Sequence, residues 1–281
     1  MTRAPETPLP GKLAELGSVG DAGALAHYSD PAYYTKTYKA RQHDVEYYVL
    51  LARATGGPVL EYGIGNGRVA LPVARAGIEI FGVDLSRPML DDLAKKLEKE
   101  APETRERVRF ELADMRTAHI NRQFPLAIVP FNGLLHLYET TDVEVFFARV
   151  FEQLEPGGLF VFDFSLPVPA DLARSRERWY RAPRFRHPST GELVRYAERF
   201  EYDPIRQLLL VTMRFEPTKG EPWTIPLTHR QFFPREVEAL LRHAGFSDIV
   251  FTADFSDHPA DRHADSVVVS CQKPEGSARS A

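Results

Sequence analysis

From residue 40 to residue 166 the chain alternates short apolar runs with amphipathic segments. Residues 40–55 carry apolar side chains at helical spacing through Val45, Tyr48, Leu51 and Ala52, and Gly56-Gly57-Pro58 stops that helix. Strand-like runs follow at 58–62, 79–83, 108–112, 126–130 and 159–164. Helix-like stretches separate them at 68–76, 87–100 and 143–154. This alternation predicts a parallel sheet, because two parallel neighbours need a crossover between them. Glu155-Pro156-Gly157-Gly158 reads as the turn into the fifth strand.

The pattern changes after Asp163. Residues 167–190 are rich in Arg and Pro, and 193–202, 207–216 and 223–233 alternate with the two-residue period of a strand. They predict a small antiparallel insertion. Residues 234–244 return to an amphipathic helix, with Pro234 in its first turn and Gly245 as its stop. The runs 248–253 and 266–272 predict two closing antiparallel strands. The expected fold class is therefore α/β: a doubly wound, seven-stranded, mostly parallel sheet with a small antiparallel β insertion after the fifth strand. The expected organisation is an N-terminal arm or lid over 1–40 and a core from 41–166 and 233–273. The insertion at 167–232 serves as a substrate lid or a dimer contact, so a homodimer is one expected assembly. A flexible tail covers 274–281.

Charge and composition narrow the chemistry. A net charge of −4 argues against whole-surface attraction to nucleic acid or anionic lipid. No run approaches the roughly 18 apolar residues of a membrane span. The first residues lack the apolar core of a secretion signal, so a cytoplasmic location is expected. The single cysteine, Cys271, leaves no internal disulfide and no Cys-based zinc cage. Asp257, His258, Asp261, His263 and Asp265 are metal-ligand types without an ordered ligand spacing, and no metal is expected.

The most informative stretch is Val59-Leu60-Glu61-Tyr62-Gly63-Ile64-Gly65-Asn66-Gly67-Arg68. A strand runs into a glycine turn and then into a helix, whose free amides face a ligand. The dinucleotide pattern requires glycine at the sixth position from Gly63, where Arg68 stands. The P-loop pattern also fails, since no Gly-Lys-Ser/Thr follows. Glu61 ends the strand beside the turn. A pyrophosphate there meets a carboxylate and is repelled, whereas a cationic head is attracted. Asp84 ends the second strand roughly 20 residues on, the offset of a carboxylate that binds a ribose diol.

These residues resemble motif I of class I methyltransferases that use S-adenosylmethionine (SAM), and Asp84 resembles their acidic residue on the second strand. Ala113-Asp114-Met115-Arg116 is similar to the segment where an Asp binds the adenine amino group and its neighbour packs on the ring. Leu154-x-Pro156-Gly157-Gly158-x-Phe160 resembles the turn before their fifth strand. The matches run in order over about 45–165. The resemblance implies a Rossmann-like core, SAM as cofactor and a methyl-transfer reaction. It assigns the cofactor to Glu61, Gly63, Gly65, Asn66, Gly67, Arg68, Asp84, Leu85, Asp114, Met115, Phe131 and Asn132. One departure is Tyr62, where many members carry a smaller residue.

The fourth strand runs into Phe131-Asn132-Gly133-Leu134-Leu135-His136-Leu137. This segment is similar to the Asn-x-x-x-His-Leu pattern of small-molecule members such as the glycine N-methyltransferase-like and amino-sugar N-methyltransferase enzymes. So is the stretch from Thr228 to Val237. The resemblance implies a small-molecule acceptor with an N or O nucleophile, covered by the antiparallel insertion. His136 is the first candidate for a catalytic base or acceptor contact, with His229 as the second, because imidazole titrates near pH 6.5. Arg230 is a candidate partner for an acceptor carboxylate or phosphate. Tyr28, Tyr33 and Tyr38 come from a tyrosine-dense segment whose equivalent in those families folds over SAM. Tyr33 is expected at the cofactor, and Tyr28 and Tyr38 at the acceptor.

Residues 174–187 interleave arginines with aromatics and keep open an RNA- or protein-modifying enzyme that docks through this strip. A non-catalytic SAM-binding subunit is the third reading.

Overall fold

The computed structural model describes residues 23 and 25–276 of the 281-residue chain. Residues 1–22 and 24 of the expected 1–40 arm, and 277–281 of the expected 274–281 tail, lie outside the described residues. A 3-10 turn at His27–Ser29 precedes helices α1 (Pro31–Tyr38) and α2 (His43–Thr55). Asp30 caps α1 by accepting the Tyr33 amide at 2.9 Å, and Pro31 sits where a helix needs no amide. Gly56 closes α2 in the left-handed region (φ 77°), with its amide returned to the carbonyls of Ala52 and Arg53.

The chain then alternates through β1 (Val59–Tyr62), α3 (Ala70–Arg75), β2 (Ile80–Asp84), α4 (Arg87–Leu97), α5 (Pro102–Glu106) and β3 (Val108–Leu112). Next come β4 (Phe124–Val129), a 3-10 turn at Gly133–His136, α6 (Thr140–Gln153) and β5 (Leu154–Ser165). After α7 (Pro169–Leu172) lie β6 (Tyr180–Arg186), β7 (Leu193–Asp203), β8 (Leu208–Pro217) and β9 (Trp223–Arg230). Helix α8 (Pro234–His243), β10 (Ser247–Ala253) and β11 (Ser266–Gln272) complete the order.

Seven strands form one sheet in the order β10-β11-β5-β4-β1-β2-β3. It is parallel except that β11 runs antiparallel to both β5 and β10. The sheet therefore has the architecture expected from the apolar runs. Helices cover both of its faces, which explains why β1 reads as a continuous buried run without polar alternation. On one face Phe146 and Phe147 of α6 pack on Phe160, Phe162 and Phe164. On the other, Tyr48, Val73, Leu90 and Leu93 pack beneath β1 and β2. The chain builds outward from β1 through β2 and β3, then returns to lay β4 on the other side of β1. That reversal opens a crevice at the C-terminal ends of β1 and β4.

A second sheet, antiparallel throughout, has the order β6-β7-β8-β9. Strand β6 falls in the Arg- and Pro-rich stretch, where the sequence pattern indicated no strand. It contains Pro183, and the register shifts between Ala182 and Phe185. As an edge strand it needs no amide on its outer side, so proline is tolerated. Pro226 sits in the opposite edge strand, β9, for the same reason. The register places Tyr196, Glu198 and Phe200 on the same face as Met213, Phe215, Ile225, Leu227 and His229. This face receives α1 through Tyr33, whose ring stacks on His187 at a centroid distance of 5.2 Å. Among the described residues no helix is long and apolar enough to cross a membrane.

Candidate active site

A cavity occupies the crevice. Its walls are the loop after β1, the end of β2, the loop after β4 and the phenol rings of Tyr28 and Tyr34. The glycine turn bends because Gly63 (φ 77°) and Gly65 (φ 54°) both adopt the left-handed region. A Cβ at Gly63 would meet nothing within 4 Å, so the requirement there is conformational. Gly67 is left-handed too (φ 80°) and serves a second purpose. A Cβ there would lie 2.5 Å from Leu93 Cδ1, so Gly67 lets the loop close onto α4.

Two carboxylates stand at adjacent strand ends. Glu61 is 2% exposed, lines the cavity, and its Oε2 has no hydrogen-bond partner. Burial drives its pKa well above the usual carboxylate range, against the pull of Arg68. Asp84 accepts the Ser86 amide on Oδ1 at 2.7 Å and the Gly65 amide on Oδ2 at 2.8 Å. Burial raises its pKa too, and those amides oppose the shift. A pocket with a carboxylate wanting a counter-charge and a second one oriented by amides suits a ligand with a cationic head and a diol. It repels a diphosphate.

The loop after β4 holds two consecutive left-handed residues, Phe131 (φ 58°) and Asn132 (φ 64°). Each costs roughly 1–3 kcal/mol unless its surroundings enforce it. Enforcement comes from β5. Asp163 accepts the Phe131 amide and the Tyr48 hydroxyl, both at 2.7 Å, and Asn132 Oδ1 accepts the Ser165 amide at 2.7 Å. Burial raises the Asp163 pKa to about 6. The Phe131 ring is thereby presented to the cavity, with the Arg68 and Arg41 guanidiniums 4.6 and 4.9 Å from its centroid. Arg68 is anchored in turn by a bidentate pair with Asp44 at 3.0 and 2.6 Å.

Above this loop the Tyr28 hydroxyl and His136 Nε2 are 2.8 Å apart. His136 lines the cavity, and burial lowers its pKa to about 4. Its Nδ1 is buried without a partner. The His229 ring lies 5.0 Å from the His136 ring, and burial holds it neutral as well. On the other side, His27 Nε2 is 3.0 Å from the Tyr38 hydroxyl.

The structure brings Glu61, Gly63, Gly65, Asn66, Arg68, Asp84, Leu85, Met115, Phe131, His136 and Tyr28 to one cavity wall. It places other candidates elsewhere. Tyr33 points into the second sheet, against His187 and Phe215, and its helical neighbour Tyr34 takes the cavity position. One residue is a rotation of about 100° on a helix, and a dense tyrosine run carries no signal of which phenol faces inward. Tyr38 is a support for Phe131, with ring centroids 4.7 Å apart, and lies outside the cavity lining. Asn132 is a backbone clamp. Asp114 lies outside the lining and pairs with Arg116 at 2.5 Å, while its neighbours Ala113 and Met115 reach the cavity. His229 stands behind His136, outside the lining. Arg230 is 4% exposed and is bound to Glu236 at 2.6 Å, to the Tyr138 carbonyl and to Thr140. It faces no open space in which to meet an acceptor anion. Ser86 and Met89 line the cavity from the start of α4, a position given by the strand–helix turn and not by residue type.

Part of the arginine strip is engaged within the chain. Arg174 lies over Tyr180 and Phe200, at 4.6 and 4.3 Å, and pairs with Asp171 at 2.7 Å. Arg178 lies over Tyr180 at 5.3 Å. The aromatic faces that bases would stack on are partly occupied by the chain's own cations.

Residues 59–158 match the methyltransferase domain family. A Bacillus subtilis (strain 168) protein named as a methyltransferase, YqeM, is 26% identical over 223 residues, covering 77% of this chain and 84% of that protein. Among solved structures, the CcbJ methyltransferase from Streptomyces caelestis superposes with a TM-score of 0.71 at 26% identity, over 83% of this chain and 95% of that one. The glycopeptide N-methyltransferase MtfA, complexed with S-adenosylhomocysteine, has a TM-score of 0.60 at 25% identity, over 95% of this chain and 100% of that one.

Proposed function

We propose that this chain, a SAM-dependent methyltransferase, passes the methyl group to a small-molecule acceptor bound beside His136. The observation that carries the reading is Glu61, which lines the cavity and whose buried Oε2 has no hydrogen-bond partner. A buried carboxylate without a counter-charge is costly, and a cationic head in the cavity removes that cost. The methionine part of SAM offers an ammonium and a sulfonium. Glu61 is assigned to that end, Asp84 to the ribose hydroxyls, and Met115, Leu85 and Ala113 to the adenine. Bound there, SAM supplies a methyl group on a sulfonium that leaves without acid assistance.

The chain's own residues position and enclose. Tyr28 and Tyr34 bring aromatic rings to the cavity that a desolvated cation would enter. The second sheet and the 27–38 segment are assigned to the lid that excludes water. His136 is neutral at pH 7, and a pKa of about 4 makes it a weak proton acceptor. Its assigned work is to orient the acceptor through a hydrogen bond, with Tyr28 setting the ring. In-line displacement at carbon gains more from such positioning than from a strong base. The fold neighbours that act on glycopeptides by N-methylation favour a nitrogen nucleophile of this kind.

Titration calorimetry with SAM and with a nicotinamide dinucleotide tests the assignment. SAM binds, Glu61→Gln and Asp84→Ala each weaken it at least about tenfold, and the dinucleotide does not compete. A diphosphate ligand that binds more tightly than SAM overturns the reading. Labelled SAM incubated with a metabolite extract then identifies the acceptor by its gain of one methyl group.

A further inference from the structure

The lid face turned toward α1 carries one carboxylate, Glu198. It sits in mid-strand on β7, opposite Met213 and two positions from Phe200, on a surface otherwise built from Tyr196, Val211, Ile225 and Leu227. The Tyr196 hydroxyl donates to Glu198 Oε1 at 2.7 Å and so fixes the carboxylate. No Lys, Arg or His among the described residues forms an ion pair with it within 4.0 Å. Arg174 covers the neighbouring Tyr180 and Phe200 rings but is committed to Asp171. Tyr33 and Tyr38, the α1 phenols that face the lid and the cavity loop, both feel the negative charge of Glu198. Arg230, on which an anionic acceptor would depend, is sealed away with Glu236.

The same face ends at His229, which touches His136 at the cavity. From the His229 level to the Glu198 level is four strand positions and two strands. That is about 13 Å along the sheet and about 10 Å across it. The residues between are half-buried and apolar: Leu209, Val211 and Leu227. A carboxylate on a half-buried apolar face, oriented by a phenol and lacking a cation, is a recognition element for a positive charge.

We propose that Glu198 binds a cationic group at the end of the acceptor remote from the methylated atom, so that the acceptor is an elongated molecule with an apolar middle and an ammonium at its far end. This rests on the reading of the cavity as the methyl-transfer site.

The test uses the full chain loaded with S-adenosylhomocysteine and three symmetric probes of equal length: octamethylenediamine, 1,8-octanediol and octanedioate. Binding is read by calorimetry, with SAM affinity measured on the same preparations. The wild type binds the diamine about tenfold more tightly than the diol, and the dicarboxylate least. Glu198→Gln removes the preference and leaves SAM affinity unchanged. Glu198→Lys inverts it toward octanedioate. A wild type that binds none of the three, or all three alike, with SAM affinity intact overturns this proposal and leaves the cofactor assignment standing. Loss of the preference in Tyr33→Phe but not in Glu198→Gln also overturns it. A wild type that does not bind SAM overturns the cofactor reading instead.

Discussion

The Tyr28 hydroxyl and His136 Nε2 meet at 2.8 Å across 108 positions of sequence, and the pair forms the wall of the cavity between the glycine turn and the second sheet. Tyr28 is held from the other side, because its carbonyl accepts the Ser86 hydroxyl at 3.3 Å. If the pair orients the acceptor, Tyr28→Phe leaves SAM affinity unchanged by calorimetry and lowers kcat/KM at least about tenfold. An equal loss of SAM affinity in that variant would move Tyr28 to the cofactor.

The buried imidazoles make stability depend on pH. Burial lowers the folded pKa of both His27 and His136 from 6.5 to about 4. Between those values the unfolded chain takes up protons that the folded chain refuses, so stability falls as pH falls through the window. It is level above about pH 6.5 with respect to these groups. The expected loss is on the order of 3 kcal/mol for each imidazole by pH 4, about 6 kcal/mol for the two, measured as a falling urea midpoint. His136→Gln flattens part of that slope. A variant with the wild-type slope would remove His136 as one of its sources.

Asp163 acts on the cavity through Phe131. Asp163→Ala leaves the Phe131 amide and the Tyr48 hydroxyl without their acceptor, and the left-handed pair in the loop without its clamp. It is expected to cost about 2 kcal/mol or more and to weaken SAM binding. Asp163→Asn keeps an acceptor oxygen without a buried ionisation, and it restores both properties. Failure of Asn to rescue would show that the charge, and not the acceptor, is what the loop needs.

Much of the core was legible because its signals are local. Periodicity found the strands and their crossover helices, and Pro and Gly marked the ends of α2 and α8. Glu61 and Asp84 were legible from strand ends beside a glycine turn. Strand β6 was not, because Pro183 is compatible with a strand only at an edge, and edges exist only once the sheet has formed. The choice between Tyr33 and Tyr34 also lay outside the pattern. It depends on which way α1 turns beneath the second sheet.

Arg230 and Glu198 show the same division at the acceptor end. Taken alone, an arginine in the Thr228–Val237 stretch is an anion receptor, and a glutamate in an alternating strand is an outward-facing solvated charge. Chain order, periodicity and residue type determined the parallel sheet, its switch point and the carboxylates beside it, since these follow from steric preferences within a few residues. Which charges are neutralised by distant partners and which are left without a counter-charge was decided only by tertiary packing. A charge's chemistry depends on the groups within a few ångströms of it, and those come from segments 100 residues away as readily as from its neighbours.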